Sequence, residues 1–318
     1  MRKLFFFILV FIFIVSNLSL AGLKVKGNPI KLIGGDGAIY MRPMWSPDGE
    51  KIAFTTARYQ GIWMMDADGS QVRQITDEPA AGFGFEWSSD SKAILSRIAK
   101  FDKRYRYNAV KVFDIETNEA RLVTDYRKFM PGMPHWTDDD EQVFMFNRGK
   151  LEIFSSGKKS NVLKKPSSNQ QIYFLKNDRI AIGNIETKSY TTIETGENEQ
   201  CLNMVVSPDR SKVAFEVLGG NLFVMNLDGT GRLDLGVGNR PQWSPDSQRL
   251  VYMITVDDGH QYLLSDIYSV TIDGTEKVRL TSTDEKLEMN PSWSPDGKKI
   301  VFDVLNEGAI YSIELSSE

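Results

Sequence analysis

From residue 40 onward the apolar positions come in short runs, and each run is bounded by polar clusters rich in Ser, Asp, Gly and Pro. Runs this short, with β-branched and aromatic residues and turn formers between them, predict strands rather than helices. Six of the runs follow variants of one phrase. It stands complete as Trp45-Ser46-Pro47-Asp48-Gly49 and Trp293-Ser294-Pro295-Asp296-Gly297, and it recurs in altered form from Trp87, Trp136, Val206 and Trp243. Seven residues after each first position stands an aliphatic residue: Ile52, Ile94, Val143, Val213, Leu250 and Ile300. Ser-Pro-Asp-Gly sets a tight turn, with proline fixing φ, aspartate bonding the local backbone and glycine taking the positive-φ position. The strand after it is apolar on consecutive positions, as in Ile52-Ala53-Phe54 and Ile300-Val301-Phe302, so both of its faces are expected to be buried.

A second hairpin signal, Asp-Gly between β-rich runs, follows in residues 64–76, 224–236 and 269–281, and residues 112–124 do the same with other turn residues. Each repeat therefore predicts four antiparallel strands, a to d, with the Trp phrase at the a-to-b turn. Four-stranded sheets repeated at this period are the blades of a β-propeller, an all-β fold. Five of the six tryptophans hold one repeat position, which points to packing between blades rather than to a ligand platform. Each can bury roughly 200 Å², or about 5 kcal/mol gross.

Between Trp136 and Val206 the Trp phrase is missing. Residues 179–194 copy a c-turn-d pattern and residues 170–175 supply a preceding strand, so this stretch counts as a degenerate blade and the total is seven; taking it as an insertion leaves six. The last repeat stops after strand c. Residues 29–33 precede the first Trp phrase as a strand d would, and are expected to close the ring as the outer strand of the last blade, covering an exposed edge.

The N-terminus departs from this pattern. Arg2 and Lys3 precede the apolar run Leu4 to Val15, and Ser19 and Ala21 suit cleavage after residue 21. Residues 1–21 are read as a signal peptide and 22–318 as one propeller domain. A retained anchor is the alternative, although twelve residues make a helix of only about 18 Å against a hydrocarbon core of roughly 30 Å. Periplasmic or secreted localisation follows. The net charge of −4 and the pI near 5.5 supply no field for polyanions. No nucleic acid partner is expected, and no membrane contact beyond such an anchor. Cys201 is the only cysteine, so no internal disulfide forms.

On these phrases the chain resembles the TolB-like propeller repeat family, across nearly all of residues 28–318. The resemblance implies the propeller fold. The family's namesake binds a lipoprotein of the cell envelope and carries an α/β domain before its propeller, for which the 23 residues between Ala21 and Trp45 leave no room. Similar repeats precede serine peptidase domains and occur in an oligogalacturonate lyase whose propeller holds a metal. No Gly-x-Ser-x-Gly elbow is present, and His135 and His260, in different repeats, are too few for a His-rich site. No metal or cofactor is expected.

Antiparallel topology places the b-to-c and d-to-a loops on one face, where length varies and binding residues tend to sit. Three places before each Trp equivalent stand Arg42, Gly84, Met133, Asn203, Arg240 and Asn290. Arg42, Asn203, Arg240 and Asn290 at the channel mouth are candidate ligand residues, because the arginine fork suits carboxylates. Two long b-to-c loops add Lys103, Arg104, Tyr105 and Tyr107 in one, and His260 and Tyr262 in the other. The expected function is that of a monomeric, exported, non-enzymatic propeller that binds an envelope protein or peptide, or another acidic ligand, on this face. The alternative is an enzyme on acidic polysaccharide, lyase or hydrolase-like, using carboxylates such as Glu86 and Glu288.

Overall fold

The computed structural model describes residues 22–158 and 171–317; the proposed signal peptide, residues 1–21, lies outside them. The chain forms a β-propeller of seven antiparallel sheets. Blade 1 comprises Tyr40–Trp45, Lys51–Thr56, Gln60–Asp66 and Arg73–Thr76 as strands a to d. Blade 2 comprises Glu86–Trp87, Ala93–Asp102, Tyr105–Asp114 and Ala120–Leu122. Blade 5 comprises Cys201–Val206, Lys212–Val217, Leu222–Asn226 and Leu233–Asp234, and blade 6 Asn239–Trp243, Arg249–Asp257, Tyr262–Thr271 and Lys277–Arg279. Blade 3 shows strands a to c (His135–Trp136, Gln142–Asn147, Lys150–Ser155) and blade 4 strands b to d (Gln171–Lys176, Arg179–Asn184, Tyr190–Thr192). Residues 159–170, between these two sheets, lie outside the described residues. The degenerate middle is a blade, so the count is seven and not six.

Blade 7 closes the ring. Glu288–Trp293, Lys299–Val304 and Ala309–Ser317 come from the chain's end, and Leu23–Ile33 from its beginning pairs antiparallel with Ala309–Ser317. This outer strand is longer than the expected residues 29–33, running from Leu23 opposite Ser317 to Ile33 opposite Ile310. It absorbs two register shifts on the way, between Lys26 and Ile30 and between Lys31 and Ile33. Leu23 and Val25 extend the pairing because they pack on the cluster around Trp293, Phe302 and Leu315.

Each interface between blades is one apolar cluster. Consecutive residues of a b strand go to opposite neighbours: Ile52 and Phe54 join Val301 and Ile310 of blade 7, while Ala53 joins Trp87 and Ile94 of blade 2. The remaining interfaces repeat this arrangement around the ring. The tryptophans fasten neighbouring blades as expected. The indole N–H of Trp87 donates to the carbonyl of Met44 in the preceding blade (3.2 Å), and those of Trp136 and Trp243 donate likewise to Glu86 (3.3 Å) and Val205 (3.0 Å).

The turn phrase works as its chemistry requires. Ser46 donates to Asp48 (2.6 Å) and accepts from the Lys51 N–H, and Asp48 accepts from the Glu50 N–H. The residue after the aspartate has positive φ in all six copies, including the non-glycines Ser91, Asp140, Arg210 and Ser247. Three of those non-glycines link blades: the hydroxyls of Ser91 and Ser247 accept the backbone N–H of Asp48 and Asp209, and the Asp140 carboxylate accepts that of Ser89. The side chain's bond to the adjacent turn offsets the cost of the left-handed backbone.

Candidate functional site

Strand a bends at the channel mouth in four consecutive blades. The register against strand b gains one residue between Met41 and Met44, Leu202 and Val205, Asn239 and Gln242, and Met289 and Ser292. Within each bulge one residue has positive φ: Arg42 (56°), Asn203 (45°), Arg240 (53°) and Asn290 (50°). A left-handed residue at a bulge re-aims the chain and costs about 1–3 kcal/mol where it is not glycine.

Two buried carboxylates hold these bends. Asp303, on strand b of blade 7, accepts the Asn290 side-chain amide of its own blade and the Arg42 backbone N–H of the next, both at 2.8 Å through Oδ1. Glu216, on strand b of blade 5, accepts the Asn203 amide at 2.8 Å and the Arg240 backbone N–H through Oε1, and the Asn239 amide at 3.2 Å through Oε2. The device thus occurs twice, in blades 5 and 6 and again in blades 7 and 1. Each copy spends an asparagine side chain and an arginine backbone N–H on the acid and leaves the guanidinium to the channel.

Arg42, Asn203, Arg240 and Asn290 therefore line one cavity of about 200 Å³, with Pro43, Met204, Pro241 and Pro291 beneath them. Gly84 and Met133, at the equivalent positions, do not line it; the Met133 methyl lies so close to Gly84 that a Cβ there would meet it at 2.5 Å. The Arg42 guanidinium lies 5.7 Å from the Tyr59 ring centre and 5.8 Å from that of Phe83. Burial, and then the charge of Arg240, lower its pKa, so the two cations are near enough to repel. Among the described residues neither guanidinium forms an ion pair. Burial drives Asp303 up to about 7 against the opposing pull of its two N–H bonds and both arginines, and its Oδ2 has no hydrogen-bond partner.

Asp303 and Glu216 are not among the residues expected from the sequence. Their signal was present as an acid four places into otherwise apolar b strands, Lys299–Val304 and Lys212–Val217, thirteen residues after the matching asparagine.

The loop residues divide by register. Blade 2's b and c strands pair out to Asp102 opposite Tyr105, leaving Lys103 and Arg104 as the turn. Tyr105 and Tyr107 share one face with Lys100, and the Lys128 ammonium sits 4.3 Å and 5.9 Å from their ring centres. Phe101 and Arg106 take the other face, which continues to Arg97. His260 and Tyr262 lie at the exposed tip of the blade 6 hairpin, where Asp258 accepts the His260 backbone N–H.

Glu86 and Glu288 do not form a pair at the mouth, and neither lines the cavity. Glu86 holds His135 through Nδ1 (2.6 Å) and the Trp136 backbone. Burial favours neutral His135, but Glu86 prevails and the imidazole pKa is raised. Glu288 is 1% exposed, accepts from Thr283 and is raised to about 7, chiefly by burial. Among the described residues no group of three His, Cys, Asp or Glu side chains could hold a metal ion, and no helix is long and apolar enough to cross a membrane. Cys201 is buried and free, with its thiol pKa raised by burial.

No protein-family model matches the chain. Among solved structures it is similar to an oligogalacturonate lyase from Vibrio parahaemolyticus, at 14% identity and a TM-score of 0.62, covering 93% of this chain and 98% of that one. It is also similar to an oligogalacturonate lyase in complex with manganese, at 14% identity and a TM-score of 0.64 with the same coverage. TolB from Acinetobacter baumannii matches at 16% identity and a TM-score of 0.47, over 88% of this chain and 64% of that one. The likeness to the two lyases is one of fold.

Proposed function

We propose that the protein is an exported, non-enzymatic propeller that binds an acidic segment of another envelope protein at its channel mouth. The observation that carries this reading is the pair of guanidiniums, Arg42 and Arg240, on one cavity and free of ion pairs among the described residues. Two cations held together on strained, carboxylate-anchored bends are set to be relieved by an anion, and each charge-assisted bond to it is worth about 1.5–3 kcal/mol. The lining mixes Pro43, Met204, Pro241 and Pro291 with Gln242 and Ser292, and the asparagine side-chain N–H groups of the rim are engaged by Asp303 and Glu216, so the two guanidiniums are the charged groups an acidic peptide would meet.

Of the enzymatic alternatives, a glycoside hydrolase would need two carboxyls across one cleft, and Glu86 and Glu288 are bound to different partners. Calorimetric titration with acetylated tetraglutamate tests the proposal. Binding is expected with the native protein and at least about tenfold weaker with Arg240→Gln, the loss of one charge-assisted bond. Equal binding by an Arg42→Gln/Arg240→Gln double variant would refute the site, and turnover of polygalacturonate would overturn the non-enzymatic reading.

A further inference from the structure

The cations of the channel mouth do not end there. Phe83 lies near both Arg42 and Arg97 of blade 2, with the second guanidinium 5.9 Å from the ring centre. Arg97 is fixed by its donations to the carbonyls of Met130, Pro131 and Gly132. Its charge is close enough to Arg106 for the two to repel. Arg106 donates to Asn108 and stands opposite Phe101, which is 63% exposed, on the same hairpin face as Arg97. At the tip come Lys103 and Arg104, both exposed. Lys103, Arg104 and Arg106 form no ion pair among the described residues, and Lys100 and Lys128 add two more cations on the tyrosine face of the same hairpin. On a chain of net charge −4 this is a marked local exception.

We infer that the Arg97–Phe101–Arg106 face of the blade 2 hairpin, with Lys103 and Arg104 at its tip, is a second subsite continuous with the channel. It takes the acidic stretch of an extended partner peptide whose terminal or first carboxylate enters the cavity. The inference rests on the channel-mouth reading and lengthens it. From Arg97 to Asp102 the strand rises about 17 Å, which an extended peptide covers with roughly five residues. Charge complementarity names the occupant's chemistry, and the exposed Phe101 adds apolar contact between the cations. An anionic membrane is the poorer fit, because the tip itself is Lys103-Arg104 and Phe101 stands behind it, where an interfacial hairpin would lead with its apolar residues.

Two labelled peptides of twelve residues test this by fluorescence anisotropy: one all glutamate, the other four glutamates followed by Gly-Ser repeats. The variants are Arg104→Glu/Arg106→Glu, which changes exposed side chains only, and Arg240→Gln. The hairpin variant is expected to weaken the all-glutamate peptide about tenfold and to leave the short acidic one within about twofold. Arg240→Gln is expected to weaken both. An all-glutamate affinity untouched by the hairpin variant, with Arg240→Gln still damaging, would end the second subsite and leave the channel reading intact. Loss only in the hairpin variant would end the channel reading and, with it, the continuity claimed here. Vesicles of phosphatidylglycerol or polygalacturonate held through the hairpin, with no all-glutamate peptide binding, would overturn the assignment to a peptide.

Discussion

Asp303 is fully buried, with one oxygen accepting two N–H bonds and the other accepting none. Protonation therefore suits it, and the same holds for buried Glu288. Both carboxyls move from the ordinary range to about 7 on folding. A pKa raised by folding means that the folded state binds the proton more tightly, so the associated stability is present below about pH 4 and is lost as pH climbs towards 7. Raised His135 continues the loss above its ordinary value of 6.5. The carboxylates lowered by turn bonds, such as Asp209 and Asp296, act in the opposite sense but only below their ordinary value of 3.8. Stability should thus fall between pH 5 and pH 8. Asp303→Asn keeps an acceptor for Arg42 and Asn290 and removes the titration, so it should flatten that slope, which for Asp303 spans at most about 4 kcal/mol. Thermal melts of both proteins across this range check it; parallel slopes would count against the assignment. The tryptophans supply a second residue-scale contrast. Trp87 and Trp243 donate across to the preceding blade, whereas the buried indoles of Trp45 and Trp293 find no acceptor. Trp87→Phe and Trp243→Phe should each cost about 1 kcal/mol more than Trp45→Phe or Trp293→Phe in urea unfolding, because only the former pair loses a hydrogen bond between blades. The sequence made the position of the arginines visible, since they stand at one offset from a strong repeat. It hid their mates, because a single acid within an apolar strand gains its meaning only when strand a bulges over it.

At the level of the strand, closure decides stability. Leu23–Ile33 covers the free edge of Ala309–Ser317 and lays Leu23 and Val25 on the blade 6–7 cluster and Leu32 and Ile33 on the blade 7–1 cluster. Four half-buried aliphatics at about half of the 1.5–3 kcal/mol for full burial amount to roughly 4 kcal/mol. At 2–4 °C per kcal/mol for a domain of this size, deleting residues 22–34 should lower the melting temperature by about 10 °C, and a drop of one or two degrees would show that the strand is dispensable. The blades were legible because the turn chemistry, the double-sided strands and the Trp all repeat. The closing strand was legible only in its second half, residues 29–33. Its first half, Leu23 to Lys26, alternates apolar and charged residues next to the proposed cleavage site, and its burial depends on a neighbouring blade that no local pattern announces. Glu86 and Glu288 misled for the same reason: height along strand a can be read from the repeat, but the direction of a side chain, into His135 for one and into Thr283 for the other, comes from the adjacent blade.

Across the whole molecule the junction closed by pairing alone coincides with the longest of the described outer strands. Leu23–Ile33 has eleven residues, while the outer strands of blades 1, 2, 4, 5 and 6 have only two to four. In those blades a c-to-d turn ties the outer strand covalently, so little pairing is needed; in blade 7 pairing must do the work of the missing turn. A circular permutant separates the two contributions. Leu23 stands directly opposite Ser317, so a short glycine linker can join residue 317 to residue 22 without disturbing the register. Opening the chain in the exposed Asp273-Gly274 turn then leaves blade 6 to be closed by Lys277–Arg279, three residues against eleven. The permutant should fold, because every interface between blades is kept, and should bind tetraglutamate within about twofold of the native chain, because the channel mouth is on the opposite face from both the linker and the new ends. Its melting temperature should nevertheless fall by roughly 5–10 °C, as a gap of a few kcal/mol now rests on the weaker strand. A permutant as stable as the native protein would mean that the ring is held by its apolar interfaces alone and that the length of the closing strand serves some other end.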